Sequence, residues 1–170
     1  MENKVWSSFT RKIFINAPAE QIYWHWATAK GMESWILRSC EFVDERQIKR
    51  GHEELTQPGD EYQWYWHNQF EGVTGKMLEG NGRNYLVFTF MNSEVMIKLD
   101  DEAHEKTLVS LTQRFIPTDD ESKMNICFVQ GTAWSFWLTN LKAYIEHDIT
   151  LHETEALTLQ GDEKSEFINI

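Results

Sequence analysis

The sequence predicts a single α+β domain in which a curved antiparallel sheet wraps around a long C-terminal helix. Extended runs follow one another between residues 40 and 116 with turns but no helix between them, which is typical of an antiparallel meander. From residue 134 onward the spacing of apolar residues changes from two to that of an α-helix. A length of 170 residues suits one domain with its own core.

A strand and two short helices precede the meander. Residues 8–16 place apolar side chains at even spacing, which predicts a strand. Residues 16–20 read Asn-Ala-Pro-Ala-Glu and predict a helix start, because proline fits the first helical turn. Gly31 is expected to end this helix, and a second short helix carrying Trp35 is expected to follow.

The meander contains six predicted strands. They span residues 40–44, 61–67, 70–78, 85–91, 94–99 and 107–116. Polar residues 45–58 are expected to form a loop or a weak edge strand, and charged residues 100–106 a loop. The sequence Gly80-Asn81-Gly82 predicts a hairpin turn, because Gly and Asn tolerate a positive φ.

The last element is predicted to be an amphipathic helix of about twenty residues. Its apolar stripe consists of Trp134, Trp137, Leu138, Leu141, Ile145 and Ile149. Asn140, Lys142 and Glu146 are expected on the opposite, solvated face. The sequence therefore predicts one domain over residues 1–157 and a loose C-terminal extension over residues 158–170, in which Phe167 and Ile168 are apolar.

Composition limits the partners and the compartment. The net charge of −11 disfavours nucleic acid and anionic membranes, both of which attract clustered Lys and Arg. Cys40 and Cys127 are far apart and suit a reducing compartment. The first residues lack the apolar run of a signal peptide, and no apolar run is long enough to span a membrane, so a cytoplasmic protein is expected.

The sequence contains no strong catalytic or metal-binding motif. His147 and His152 are five residues apart rather than four, so a helix would not present them together to a metal, and no cofactor is expected. The chain has no phosphate-binding glycine loop and no nucleophile elbow. A single acid–base group in a closed cavity would suffice for some reactions, and the candidates on strands are His67, Glu71, Gln113 and Arg114. Whether the protein is an enzyme stays open, with a non-catalytic role favoured.

Four local motifs, taken together with their order along the chain, resemble those of a known family. In order they are Ala17-Pro18-Ala19-Glu20, Trp35, the Gly-Asp-x-Tyr-x-Trp segment from Gly59 to Trp64, and Leu141-Lys142-Ala143-Tyr144-Ile145-Glu146. Residues 8–150 resemble the helix-grip fold of the START-like (Bet v-like, SRPBCC) superfamily, and most of all domains related to the activator of the ninety-kilodalton heat-shock chaperone ATPase. Family members often have Gly after the last motif, whereas this chain has His147-Asp148, so its helix is expected to continue.

The resemblance implies an apolar cavity between the sheet and the long helix. The residues expected to line it and bind a ligand are Trp35, Trp64, Trp66, Phe88, Phe90, Trp134, Trp137, Leu138 and Leu141. Because the superfamily includes lipid and hormone carriers, cyclases, oxygenase domains and chaperone co-factors, the fold alone does not fix the function. A core filled by these same aromatic residues is an equally weighted alternative.

Three functional hypotheses follow. The first is non-catalytic binding of an apolar or amphipathic small molecule in the cavity. The second is a protein-interaction module, such as a chaperone ATPase co-factor, acting as a monomer or a homodimer. The third is a cyclase-type or hydrolase-type enzyme with a lone polar cavity residue. A cavity of several hundred Å³ would favour the first or third, and a packed interior with an exposed apolar patch would favour the second.

Overall fold

The computed structural model of the chain describes residues 7–159, 163 and 166–170. Within these residues the sheet contains β1 (Ser8–Ile15), β2 (Ser39–Val43), β3 (Glu61–Tyr65), β4 (Val73–Gly80), β5 (Tyr85–Phe90), β6 (Ser93–Glu102) and β7 (Lys106–Arg114). The helices are α1 (Ala19–Ala27), α2 (Ala29–Trp35), α3 (Asp120–Ser122) and α4 (Gly131–His147), and a π-helical segment (Lys123–Gln130) joins α3 to α4.

The strands form one antiparallel sheet in the order β1-β7-β6-β5-β4-β3-β2, which confirms the predicted α+β meander. The predicted loop at residues 100–106 is shorter than expected. β6 continues to Glu102, which pairs with Lys106 at the start of β7. Both of these charged side chains are exposed, so the strands extend without burying their charge.

Gly31 does not end the first helix. α1 ends at Ala27, and the hydroxyl of Thr28 accepts a hydrogen bond from the N–H of Gly31 at 2.9 Å, which caps the start of α2. Gly31 lies inside α2, where a Cβ would stand 2.4 Å from the carbonyl oxygen of Trp24. A glycine is therefore needed there because α1 and α2 pack closely together.

α4 continues only one residue beyond Glu146, at the position where family members often have Gly. The helix ends at His147, and Asp148 takes the left-handed conformation with φ 55°. Its N–H donates to the carbonyl of Tyr144 at 2.8 Å. Aspartate tolerates this conformation better than most residues, so it ends the helix where glycine would otherwise serve.

The Gly59–Trp64 segment has a structural role. The buried carboxylate of Asp60 accepts hydrogen bonds from Nε and Nη2 of Arg50 at 2.8 and 2.9 Å, which ties the long β2–β3 loop to the sheet. Burial alone would raise the pKa of Asp60, but the hydrogen bonds from Arg50 and its neighbours outweigh it and lower that pKa. The hydroxyl of Tyr62 donates to the carbonyl of Thr89 at 2.6 Å, which holds β3 to β5 across β4.

The described residues that follow α4 pack back onto the domain. The side-chain amide of Asn68 donates to the carbonyls of Glu153 and Glu155 at 3.2 and 3.1 Å. The N–H of Glu153 donates to the carbonyl of Asn169 at 2.7 Å. This part of the chain is therefore attached rather than loose, and the boundary at residue 157 stays a prediction. In the described residues no helix combines the length and apolar character needed to cross a membrane.

Candidate functional site

The residues predicted to line a cavity are brought together under α4. Trp35, Trp64, Trp66, Phe88, Phe90, Trp134, Leu138 and Leu141 belong to one buried core cluster, and Trp137 packs against it. The eight core members are each at most 4 % exposed. These residues meet because alternate strand residues face one side of a sheet, and α4 must bury its apolar stripe against that side.

These rings fill the space between the sheet and the helix. The ring of Trp64 lies 4.1 Å from that of Tyr62 and 5.3 Å from that of Phe88, measured between centroids. Trp134 and Trp137 are 4.6 Å apart. A cavity lined in part by Trp66 and Trp137 has a volume of about 10 Å³, which is about the room that one water needs.

The side chains that were predicted to line a ligand-sized cavity thus fill that space themselves. Trp26 was absent from the predicted set, yet its ring lies 5.1 Å from that of Trp35 and 6.4 Å from that of Trp134. An indole from α1 therefore enters the space that a ligand would need. Ligand binding by the predicted set stays a prediction, and it now requires these rings to move apart.

The buried indole groups differ in their hydrogen bonding. Nε1 of Trp35 donates to the carbonyl of His25 at 3.2 Å, and Nε1 of Trp134 donates to Oε1 of Gln113 at 2.9 Å. The buried indoles whose Nε1 makes no hydrogen bond of good geometry among the described residues are Trp26, Trp64 and Trp66, and of these Trp64 interacts with the thiol of Cys40 and lowers its pKa. Because nearly all buried donors in proteins are paired, these three groups call for an explanation.

The four acid–base candidates do not converge on one site. Gln113 is buried, and its amide donates to the hydroxyl of Ser93 at 2.7 Å and to the side chain of Gln130. Its side-chain polar atoms therefore connect β7 to β6, to the π-helical segment and, through Trp134, to α4. Arg114 pairs with a neighbouring carboxylate on β6 at 3.1 Å, and Glu71 is exposed in the β3–β4 loop. His67 lies instead beside the C-terminal residues.

Asn140 has a role that the sequence did not reveal. It was expected on the solvated face of α4, but it is fully buried. Its side-chain amide donates to the carbonyl of Trp35 and to Nδ1 of His152, the latter at 3.1 Å, and its oxygen accepts the N–H of Leu151 at 2.6 Å. The expectation fails because residues 151–152 fold back over this face of the helix. The pattern of polar and apolar residues in α4 does not indicate that residues 151–152 cover Asn140.

His67 and His152 form a pair at the same place. Their ring centroids are 5.2 Å apart. Burial lowers the pKa of His67, and the charge of Arg38 lowers it further. Burial likewise lowers the pKa of His152, with a further decrease from His67 that Glu153 opposes. Both rings are thus held in their neutral form more strongly than a free histidine.

A groove of about 640 Å³ opens beside the filled interior. Its lining residues are Gln69, Phe128, Val129, Thr132, Ala133, Trp137, Phe167, Ile168 and Ile170. Phe128 is 58 % exposed, Val129 62 % and Ile168 65 %. The described side chains of the lining include no charged group. The π-helical segment and the start of α4 form one wall, and residues 167–170 form the other.

This groove was not predicted from the sequence. Phe167 and Ile168 were recognised as apolar, but nothing near them in the chain showed that they would lie opposite Phe128. A second hollow of about 530 Å³ lies on the outer face of the sheet and has a mostly polar lining, including Gln63, Thr74 and Lys76.

Metal binding and thiol chemistry receive no support from the described residues. No group of three or more His, Cys, Asp or Glu side chains there could hold a metal ion. Burial raises the pKa of the Cys40 thiol strongly, and the nearby carboxylate of Glu33 adds to this increase, so the reactive thiolate is disfavoured. Cys127 also has a raised pKa through burial.

Residues 16–146 match the family described as Activator of Hsp90 ATPase homolog 1-like protein. No curated protein sequence matches the chain significantly.

Among solved structures, a Staphylococcus saprophyticus protein is 15 % identical, with a TM-score of 0.66, over 85 % of this chain and 95 % of that one. The Aha1 dimer from Colwellia psychrerythraea is 20 % identical, with a TM-score of 0.61, over 82 % and 96 %. A Nitrosomonas europaea protein is 12 % identical, with a TM-score of 0.67, over 85 % and 97 %. At these identities the likeness shows the helix-grip fold.

Proposed function

Because the chain belongs to the Activator of Hsp90 ATPase homolog 1-like family, we propose that it is a protein-interaction domain that binds its partner in the groove beside α4. The observation that carries this proposal is the contrast between a filled interior and an exposed apolar groove. Rings such as Trp64 are about 1 % exposed, whereas Phe128 and Ile168 expose more than half of their surface.

An exposed apolar groove has a free-energy cost in water. Contiguous apolar patches on soluble proteins commonly mark interaction sites, because a partner removes that surface from water. Aromatic and aliphatic side chains near the centre of such a patch typically provide most of the binding energy. Phe128 and Trp137 fit this pattern, since both line the groove.

The family description makes an Hsp90-type chaperone the first partner to test. The Colwellia psychrerythraea relative was solved as a dimer, so a second copy of the chain is the other occupant to consider. Two copies that each carry a net charge of −11 would repel one another, which favours a different protein.

The decisive experiment combines binding with a matched pair of variants. Phe128→Ser with Ile168→Ser reduces the apolar groove surface, and Ile48→Ser removes an apolar side chain that is 57 % exposed elsewhere. We expect the groove variant to lose chaperone binding and stimulation of its ATPase, with an unchanged unfolding midpoint, and the control to keep both. Equal binding by the groove variant would overturn the proposal. Sedimentation velocity shows whether the same variant also loses self-association.

A second candidate function is binding of a small molecule inside the aromatic core. The specific observation in its favour is the set of three buried indole N–H groups, on Trp26, Trp64 and Trp66, that lack an oxygen or nitrogen acceptor among the described residues, although Trp64 interacts with the Cys40 thiol. A ligand with a carbonyl oxygen would provide an acceptor that the described protein residues do not. Each unsatisfied donor costs about 1–3 kcal/mol, so pairing one would offset part of the cost of moving the rings apart.

A matched pair of ligands tests this second candidate. We expect 2-acetylnaphthalene to quench the tryptophan emission at a lower concentration than 2-ethylnaphthalene, because only the ketone accepts a hydrogen bond. Trp64→Phe keeps a ring but removes one donor, and it should reduce that preference. Equal affinity for the two ligands, or no quenching by either, would exclude the core as a site for such molecules.

A further inference from the structure

Acidic residues are concentrated in the segments of the chain that contain the groove walls. The walls include residues 128–137 and 167–170. The described residues of the surrounding segments, 119–133, 151–159, 163 and 166–170, contain seven acidic residues and one basic residue, a net charge of −6 out of −11 for the whole chain. Fewer than a quarter of the residues thus carry more than half of the net charge.

The described positions of these charges support a negative rim. Glu153 lines the small cavity that shares Trp137 and Ile170 with the groove. Glu166 is exposed and immediately precedes Phe167 in the groove wall. On the opposite wall, Lys123 is paired with Asp120 at 3.4 Å, so their charges offset each other, and Arg11 of β1 donates to Ser135 of α4 at 3.1 Å. The negative rim therefore lies on the C-terminal wall.

The shape of the groove favours a helical partner over an extended one. Its walls are the π-helical segment, the start of α4 and the C-terminal residues, and the lining includes no residue of a β-strand. An extended peptide gains most of its affinity by pairing with a sheet edge, which this groove does not offer. An amphipathic helix needs only an apolar floor, which Phe128 and Val129 help to provide.

We infer that the groove binds a basic amphipathic helix of a partner protein, with the apolar face of that helix on Phe128, Trp137 and Ile168 and its basic residues near the acidic rim. This inference rests on the proposed function and specifies the chemistry of the partner. Opposite charges around an apolar contact increase the association rate and exclude partners of the wrong sign. A second copy of this acidic chain does not meet that requirement.

Two synthetic amphipathic helices test the inference on the full chain. One is built from leucine and lysine, and the other has the same leucine pattern with glutamate in place of lysine. Fluorescence anisotropy should show that the lysine peptide binds at least about tenfold more tightly at low salt, and that high salt reduces this difference. Phe128→Ser with Ile168→Ser should abolish binding of the lysine peptide.

A charge variant and its control separate the rim from the net charge of the protein. The rim variant is Glu153→Gln with Glu166→Gln, and the control, with the same change in net charge, is Glu20→Gln with Glu45→Gln. Only the rim variant should weaken binding of the lysine peptide by about tenfold. Equal loss in both variants, or equal binding of the two peptides, would overturn the inference and leave the groove function standing. If neither peptide binds while chaperone binding still depends on Phe128 and Ile168, only this inference fails; if that dependence is also absent, both fail.

Discussion

The interior between the sheet and α4 and the groove beside it contain the same kinds of apolar side chain, but these are buried in the interior and exposed in the groove. In the interior, Trp64 and Trp134 are about 1 % exposed and contact other rings on several sides. In the groove, Phe128 and Ile168 are 58 % and 65 % exposed and face solvent. Aromatic content therefore does not distinguish a ligand site from a core. The distinction depends on whether the protein itself supplies the contacting surface.

The largest expected difference between the two regions is in stability. Trp64→Ala removes a ring that is packed against Tyr62 and Phe88, and should lower the free energy of unfolding by about 3–5 kcal/mol. Phe128→Ala removes an exposed ring, and should change that free energy by no more than about 0.5 kcal/mol. Urea unfolding monitored by circular dichroism measures both. A similar cost at the two positions would mean that the interior is not a packed core.

A finer comparison concerns indoles within the core. Trp134→Phe leaves the oxygen of Gln113 without its donor, so it should cost about 1–3 kcal/mol in addition to the lost packing. Trp64→Phe removes a donor whose indicated acceptor is only the Cys40 thiol, a weak acceptor, so that additional cost should be smaller. The same unfolding measurement compares them. If Trp64→Phe proves the more destabilising of the two, its N–H has a stronger acceptor in solution.

The sequence predicted the parts of this molecule that depend on local periodicity. The meander, α4 and the inward-facing aromatic residues follow from alternation along strands and from the stripe beginning at Trp134. Gly31 was misassigned because its role depends on the closeness of α1, which no residue near it in the sequence reveals. Whether aromatic side chains fill a space or surround it depends on their exact packing, which periodicity does not determine.

The groove and the environment of Asn140 depend on contacts between distant parts of the chain. Asn140 is buried because residues 151–152 return over α4, and Phe128 lies opposite Ile168 for a similar reason. Neither relation leaves a periodic pattern in the sequence. The net charge of −11 disfavours nucleic acid as a partner, which stays a prediction. The position of acidic residues beside the groove could be recognised only once the walls of the groove were known.

The smallest expected effect concerns pH and the C-terminal wall of the groove. The pKa values of His67 and His152 are lowered in the folded protein, so protons bind these rings more readily in the unfolded chain. Stability is therefore fully present above the ordinary histidine pKa of about 6.5 and decreases as the pH falls below it. Glu153 opposes this effect and Arg38 reinforces it.

The pH effect is measured by unfolding at several pH values with matched variants. The double variant His67→Gln and His152→Gln should lose less stability between pH 7.5 and 5.5 than the natural chain, and His104→Gln, in the exposed turn between β6 and β7, serves as the control. An unchanged pH dependence in the double variant would show that this pair does not couple protonation to folding.

Uptake of a neutral apolar dye tests most directly the claim that the interior is filled and the groove is the binding surface. Nile red is suited to this because it carries no charge that the acidic rim would repel. We expect the native protein to bind the dye, Phe128→Ser with Ile168→Ser to lose that binding, and Trp64→Phe to keep it. Binding that survives the groove substitutions and disappears in Trp64→Phe would contradict the account, because it would place the accessible apolar site inside the grip.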